Sequence, residues 1–253
     1  MSAARNKRRR HAKRGRFGFL YKMLAVIALA AALIVGATVF FRVETVVVEG
    51  NVRYESDQIV QASEVIQGDN LFALNKYETA RRIRRLLPYV EGVSIRRNLP
   101  DTLVITVQEC RAVAWLSGSE DDWLISKAGK VLESVPEGGT SALHLEGLEI
   151  AQPEAGSPLT VAESYELRYA GVLALLSALE QSEMTGRVTR IDLSSPSRII
   201  MDLDGRFTVR LPVSGDFSYL LSLMSRAAAT LEPYETGTLD LTVADYDVVF
   251  SPA

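Results

Sequence analysis

Apolar and polar residues alternate at short range along most of this chain, but not from Met23 to Phe41, nineteen residues without a charged side chain. Coiled as a helix at about 1.5 Å per residue, this run is about 28 Å long, close to the roughly 30 Å hydrocarbon core of a bilayer. The pattern changes abruptly at its far end. Val43, Thr45, Val46, Val47 and Val48 form a mostly β-branched run that stops at Gly50-Asn51, which predicts a strand beginning with no linker.

The next 60 or so residues read as helix, helix, strand, strand. Ser56 is the expected N-cap of a helix through Asp57, Ile59, Val60 and Val65, stopped by Gly68-Asp69-Asn70. Asn75 or Lys76 opens the second, with Tyr77, Ala80, Ile83 and Leu87 on one face and Pro88 at its end. Arg81, Arg82, Arg84 and Arg85 crowd the opposite face. Asn98-Leu99-Pro100-Asp101 supplies the turn into a strand where Leu103, Ile105 and Val107 alternate with Thr102, Val104 and Thr106.

The remainder is β-rich. Trp123 to Leu132 predicts two short strands about Gly129, and Leu143-His144-Leu145 another. A helix capped by Ser164 runs to about Gln181, with Leu167, Ala170, Gly171, Ala174 and Ala178 as its stripe and Leu173, Leu176 and Leu179 widening it. Strands recur over 188–193, 199–203 and 207–211, the last pair joined by Asp204-Gly205, before a helix from about Asp216 carrying Phe217, Leu220, Leu221 and Met224. Thr238–Val243 and Asp247–Pro252 close the chain as strands. The fold class is α+β: one transmembrane helix, a βααββ domain, then a mixed β-rich domain with packing helices. The expected divisions are 1–18 for a basic tail, 19–41 for the span, 43–112 and 113–253 for the two domains.

Charge refines the reading of the apolar run. Nine basic residues precede it (Arg5, Lys7, Arg8, Arg9, Arg10, Lys13, Arg14, Arg16 and Lys22) with no acid among them. Removing them from the formal −3 of the whole chain leaves a remainder of about −12. Basic residues flanking a span set its topology, which places the tail in the cytoplasm and the C-terminal part outside. A cleaved signal peptide is the competing reading, but Ala28-Leu29-Ala30 and Ala30-Ala31-Ala32 lie in mid-run and the run outlasts a usual h-region. The tail also fits anionic headgroups better than nucleic acid. Cys110 stands alone, so no intramolecular disulfide forms.

No catalytic signature emerges. The chain has no Gly-x-Ser-x-Gly elbow, Ser-x-x-Lys, Walker loop or His-Glu-x-x-His. Of its two histidines, His11 lies in the tail and His144 between two leucines, where a partly buried strand residue is expected. Carboxylate pairs at Glu163/Glu166, Glu180/Glu183 and Asp202/Asp204 read as helix-end or turn charges, and Asp202-x-Asp204-Gly205 lacks the later acids of a calcium loop. No cofactor, metal or small-molecule substrate is expected. What remains is binding. A final strand leaves a sheet edge for a partner strand, and Leu239, Asp240, Leu241, Thr242, Val243, Tyr246, Val248 and Phe250 are the candidate contacts. Asp240, Asp245 and Asp247 either select a basic partner or guard the edge against aggregation, and the residues do not choose between these. Arg81, Arg82, Arg84 and Arg85 form a second candidate docking patch.

Three stretches carry a resemblance: Val47-Val48-Glu49-Gly50-Asn51, Gly68-Asp69-Asn70-Leu71-Phe72, and Asn98-Leu99-Pro100-Asp101 through Glu109. With the strand-helix-helix-strand-strand order beside an anchor, they resemble a POTRA domain, and the whole chain resembles the bacterial cell-division family FtsQ/DivIB. In that family Gly often stands where this chain has Glu64, and Pro where it has Ala112. The resemblance implies a non-enzymatic scaffold of the division machinery at the septal plasma membrane, whose C-terminal region contacts small coiled-coil proteins of the FtsB/DivIC and FtsL type. A POTRA-bearing secretion or outer-membrane assembly factor is the alternative, and a signal-anchored cell-wall hydrolase a more distant one.

Overall fold

A computed structural model describes residues 15–118, 121–136, 142–243 and 248–253. Helix α1 (Gly15–Phe40) contains the apolar run up to Phe40, and its described side chains from Phe19 to Gly36 are all exposed. It is long and apolar enough to cross a membrane.

Strand β1 (Thr45–Glu49), helices α2 (Ser56–Ser63) and α3 (Lys76–Leu86), and strands β2 (Val90–Asn98) and β3 (Thr102–Glu109) follow in the expected order. Their sheet runs β1-β3-β2, with β3 central, parallel to β1 and antiparallel to β2. Val43, Ile59, Leu71, Ile83, Val90, Leu103 and Ile105 form its core at zero exposure.

Local chemistry moves two helix boundaries. The cap of α2 is Glu55 rather than Ser56: Glu55 is extended, and its N–H donates to the Gln58 carboxamide at 2.9 Å. The helix also stops at Ser63, before the Gly68 signal, because Glu64 adopts the left-handed conformation at φ 53°. Holding a non-glycine residue there costs about 1–2 kcal/mol. Glu64→Gly is therefore expected to be more stable than Glu64→Ala by about 1 kcal/mol in chemical unfolding, since both lose the exposed Arg82 ion pair and differ in backbone strain. Equal stabilities would refute the strain. Asn75 caps α3 as expected, accepting from the N–H groups of Tyr77 and Glu78. The buried residues of α3 are Thr79 and Ile83, whereas Tyr77 stands 89% exposed beyond the end of the sheet.

The second sheet begins after only two residues, Cys110 and Arg111. It comprises β4 (Ala112–Ser117), β5 (Asp122–Ser126), β6 (Val131–Val135), β7 (Leu143–Glu146), β8 (Val188–Asp192), β9 (Arg198–Leu203), β10 (Phe207–Pro212), β11 (Gly237–Asp240) and β12 (Val249–Pro252). Their order is β12-β11-β10-β9-β8-β7-β4-β5-β6. Helix α4 (Glu166–Gln181) connects the parallel pair β7/β8, and α5 (Phe217–Thr230) the parallel pair β10/β11. Antiparallel neighbours need only hairpins, while parallel ones need such crossovers. The β9/β10 hairpin has a three-residue loop in which Asp204 and Gly205, at φ 54° and 65°, form the left-handed centre of a turn closed by the Arg206 N–H on the Leu203 carbonyl at 3.0 Å.

Both helices lie on one face of this sheet, over Ile191, Met201, Leu203, Val209 and Leu239. The other face carries cross-strand charges. Arg190 pairs with Asp202 at 2.9 Å and Glu146 at 2.6 Å, so this face meets water. On α4 the buried stripe is Gly171, Val172, Leu175, Leu176, Ala178 and Leu179, rotated from the expected one; Leu167 and Leu173 lie outside it. Gly171 sets that rotation, because a Cβ there would lie 2.0 Å from the Val213 carbonyl oxygen.

Candidate partner-binding surfaces

The expected edge stretch, residues 239–250, divides into unlike parts. Leu239 and Leu241 are buried at 0% and 4% exposure and belong to the core under the helices. Strand β11 is itself flanked by β10 and β12, so it presents no free edge. Asp240 lies on the opposite face, 3.6 Å from Arg210, and accepts from the Thr242 N–H at 2.9 Å and hydroxyl at 2.6 Å. Burial pushes its carboxyl up, but those hydrogen bonds and Arg210 outweigh it and leave the pKa below the ordinary value. Thr242 and Val243 lie beyond the end of β11, so a proline at Val243 would break no ladder bond. Val248 and Phe250 pack partly against the core, with the Phe250 ring edge-on to Phe207 at 6.2 Å. Tyr246, Asp245 and Asp247 lie outside the described residues.

Among the described residues the nine-stranded sheet ends at β6 on one side and at β12 on the other, and the predicted stretch falls at the β12 end. Strand β12 is antiparallel to β11, Leu239 opposite Phe250 and Thr238 opposite Ser251, and the Ala253 N–H donates to the Thr236 carbonyl at 3.0 Å. Bonded and non-bonded pairs alternate in such a ladder. Val249 and Ser251 therefore direct their main-chain groups to β11, while Phe250 and Pro252 direct theirs outward. Pro252 has no N–H to lose and fits an outward position. The Phe250 N–H and the carbonyls of Phe250 and Pro252 are thus the groups β12 offers to another strand.

The arginine patch also divides. Arg82 turns toward α2, donating to the Ser63 carbonyl at 3.1 Å and pairing with Glu64 at 3.0 Å. Arg81, Arg84 and Arg85 instead line a cleft of about 450 Å³ with Lys130 and Gly156. Arg81 is partly neutralised by Glu78 at 2.8 Å.

One region of the molecule is invisible in local sequence patterns. Tyr89, buried at the end of α3, donates its hydroxyl to Glu133 of β6 at 2.5 Å. Arg53 stacks 3.7 Å above the Tyr89 ring and sits 3.6 Å from Glu133. Burial, then the hydrogen bond to Glu133 and its charge, hold the Tyr89 phenol well above its usual pKa. Lys130 reaches back to the Arg84 and Val90 carbonyls at 2.8 and 2.7 Å, and burial pulls its ammonium below the usual lysine value. Leu124 and Leu132 pack against Tyr89. These contacts join the two sheets.

Several polar residues named from the sequence have structural partners. His144 stacks on Trp115 at 3.8 Å, its cross-strand partner. Cys110 donates to the Tyr89 carbonyl, and burial raises its thiol pKa. Asp204 is held by Arg187 at 2.5 Å, which keeps its carboxyl below the usual range, and Glu180 by Lys127 at 2.6 Å. Among the described residues no group of three His, Cys, Asp or Glu side chains is placed to hold a metal.

Residues 41–109 match the family model of the FtsQ-type POTRA domain. The chain is 28% identical over 156 residues to the cell-division protein DivIB of Clostridium acetobutylicum, covering 61% of each chain. It is 29% identical over 178 residues to DivIB of Clostridium botulinum, covering 70% of this chain and 66% of that one. The chain thus spans somewhat less than two thirds of the length of these two relatives. To the cell-division protein FtsQ of Corynebacterium glutamicum it is 22% identical over 196 residues, covering 73% of this chain and 81% of that protein. Among solved structures, the major extracytoplasmic domain of DivIB from Geobacillus stearothermophilus aligns at 16% identity and a TM-score of 0.31, over 49% of this chain and 95% of that one.

Proposed function

This chain belongs to the FtsQ/DivIB family of bacterial cell-division proteins, and from that premise we propose that it is a non-enzymatic, membrane-anchored scaffold that recruits and links divisome proteins at the septum. The observation that carries the mechanism is the open edge at β12, where the Phe250 N–H faces outward beside a half-exposed Val249. A partner strand added there extends a nine-stranded sheet without disturbing its core. Small coiled-coil division proteins of the FtsB/DivIC and FtsL type are the proposed partners. Arg81, Arg84 and Arg85 form the second docking surface, on the domain of residues 43–112, and the edge belongs to the domain of residues 113–253.

In this reading α1 anchors the chain in the plasma membrane with its basic tail in the cytoplasm and both sheets outside. The Arg187 pairing of Asp204, which lowers its pKa, supports a binding role over hydrolysis at that carboxyl, because a general acid needs a carboxyl free to hold a proton near neutral pH. Depleting the protein from growing cells is expected to give filaments with blocked septa. Normal septa accompanied by missing surface proteins would point instead to secretion.

A further inference from the structure

We infer that the anchor-proximal end of the first domain rests in the lipid surface through Ile66, Phe72, Tyr77 and Leu99. This rests on α1 being the membrane anchor. The chain leaves α1 at Phe40 and is immediately tied to one loop. The Leu71 N–H donates to the Phe41 carbonyl at 3.0 Å, the Val43 N–H to Asp69 at 2.8 Å, and the Gly68 N–H returns to Val43 at 2.8 Å. The Phe41 ring meets Phe72 edge-on at 5.2 Å. The β2–β3 turn reaches the same end, since the Glu44 N–H donates to the Asp101 carbonyl at 2.8 Å.

Strand directions make this placement general. β1 runs away from the anchor, β3 is parallel to it and starts at the anchor end, and β2 finishes there. The α2–α3 loop, the first turn of α3 and the Leu99-Pro100 tip therefore surround the exit of α1. Large apolar side chains are exposed at each: Ile66 at 69%, Phe72 at 53%, Tyr77 at 89% and Leu99 at 53%. Arg97 supports this rim from beneath, donating to the Leu71 and Leu74 carbonyls with its guanidinium 5.5 Å from the Phe72 ring centroid.

Exposed apolar groups gathered about a helix exit match the interfacial zone, where aromatic and aliphatic side chains enter the acyl boundary and a tyrosine keeps its hydroxyl wet. Charges at this end are of mixed sign: Arg42 and Lys76 stand with Glu44, Asp69 and Asp101. Apolar insertion rather than attraction to anionic lipid is the operating contact. A rim around the exit, together with the short tie from Phe40, holds the domain upright.

The test uses the full chain in phosphatidylcholine vesicles containing nitroxide lipids labelled near the headgroup. Single cysteines in a Cys110→Ser background carry a polarity-sensitive fluorophore. Ile66→Cys and Leu99→Cys probe the rim, Val52→Cys the far end of the domain, and Ile34→Cys the anchor. The rim labels are expected to emit at shorter wavelength than Val52→Cys and to be quenched at least about twofold more, as interfacial side chains are. Rim labels that behave like Val52→Cys, in protein whose Ile34→Cys label is buried in lipid, overturn the inference alone. An Ile34→Cys label left in water overturns the anchor reading and this inference with it.

Discussion

Phe250→Pro is expected to weaken capture of the small coiled-coil division partners at least about tenfold while leaving the second sheet folded. The register of β12 decides this, because the Phe250 N–H points away from β11 and its loss costs no bond inside the protein. A partner strand loses one main-chain hydrogen bond, worth about 0.5–1.5 kcal/mol net. It also meets the pyrrolidine ring where its own carbonyl must approach. Together these weaken binding at least about tenfold, the equivalent of about 1.4 kcal/mol.

Phe250→Ala is the necessary control. It removes the same ring from Phe207 but keeps the N–H, so its melting temperature should match that of Phe250→Pro while partner copurification from solubilised membranes persists. If both variants bind equally well or equally badly, the outward N–H is not the contact. Ser251→Pro, by contrast, removes an inward donor and is expected to detach β12 from β11.

Gly171→Ala opposes two effects of known size. Helix propensity alone favours alanine over a mid-helix glycine by about 1 kcal/mol. The new Cβ, however, would sit 2.0 Å from the Val213 carbonyl oxygen, a backbone atom at the start of the β10–α5 connection. Forcing the helix away from a packed sheet costs about 1–3 kcal/mol and more when the obstacle is backbone. Overpacking wins. A net loss of about 2 kcal/mol and a fall in melting temperature of about 5 °C are expected. Gly186→Ala, with nothing within 4 Å of its added Cβ, should be near neutral. A melting temperature that rises with Gly171→Ala would show that α4 does not lie as described.

Features written in a few consecutive residues could be read without the structure. The uncharged run from Met23 needs only its own length to span a bilayer. Asn75 and Asp216 cap helices because a short polar side chain reaches its own next turn. Asp204-Gly205 closes a hairpin because both residues tolerate a left-handed backbone. The strand-helix-helix-strand-strand order follows from such signals, and with it the family.

Sheet order, register and the face each helix buries are different in kind, because they depend on residues far apart in sequence. Nothing in Ala112–Ser117 alone marks β4 as a strand between β7 and β5. Leu239 reads as an alternating edge residue until β10 and β12 close on either side of it. Arg82 belongs by spacing to the arginine face, but the neighbouring end of α2 draws it away. The Tyr89–Glu133 clasp joins residues 44 positions apart. The sequence by itself therefore determined the long apolar helix, the elements and the family resemblance, through interactions that each segment completes internally. Only the tertiary structure decided that β12 ends the nine-stranded sheet, which arginines share a cleft and how the two sheets are joined. In each case the deciding atom belongs to a distant part of the chain.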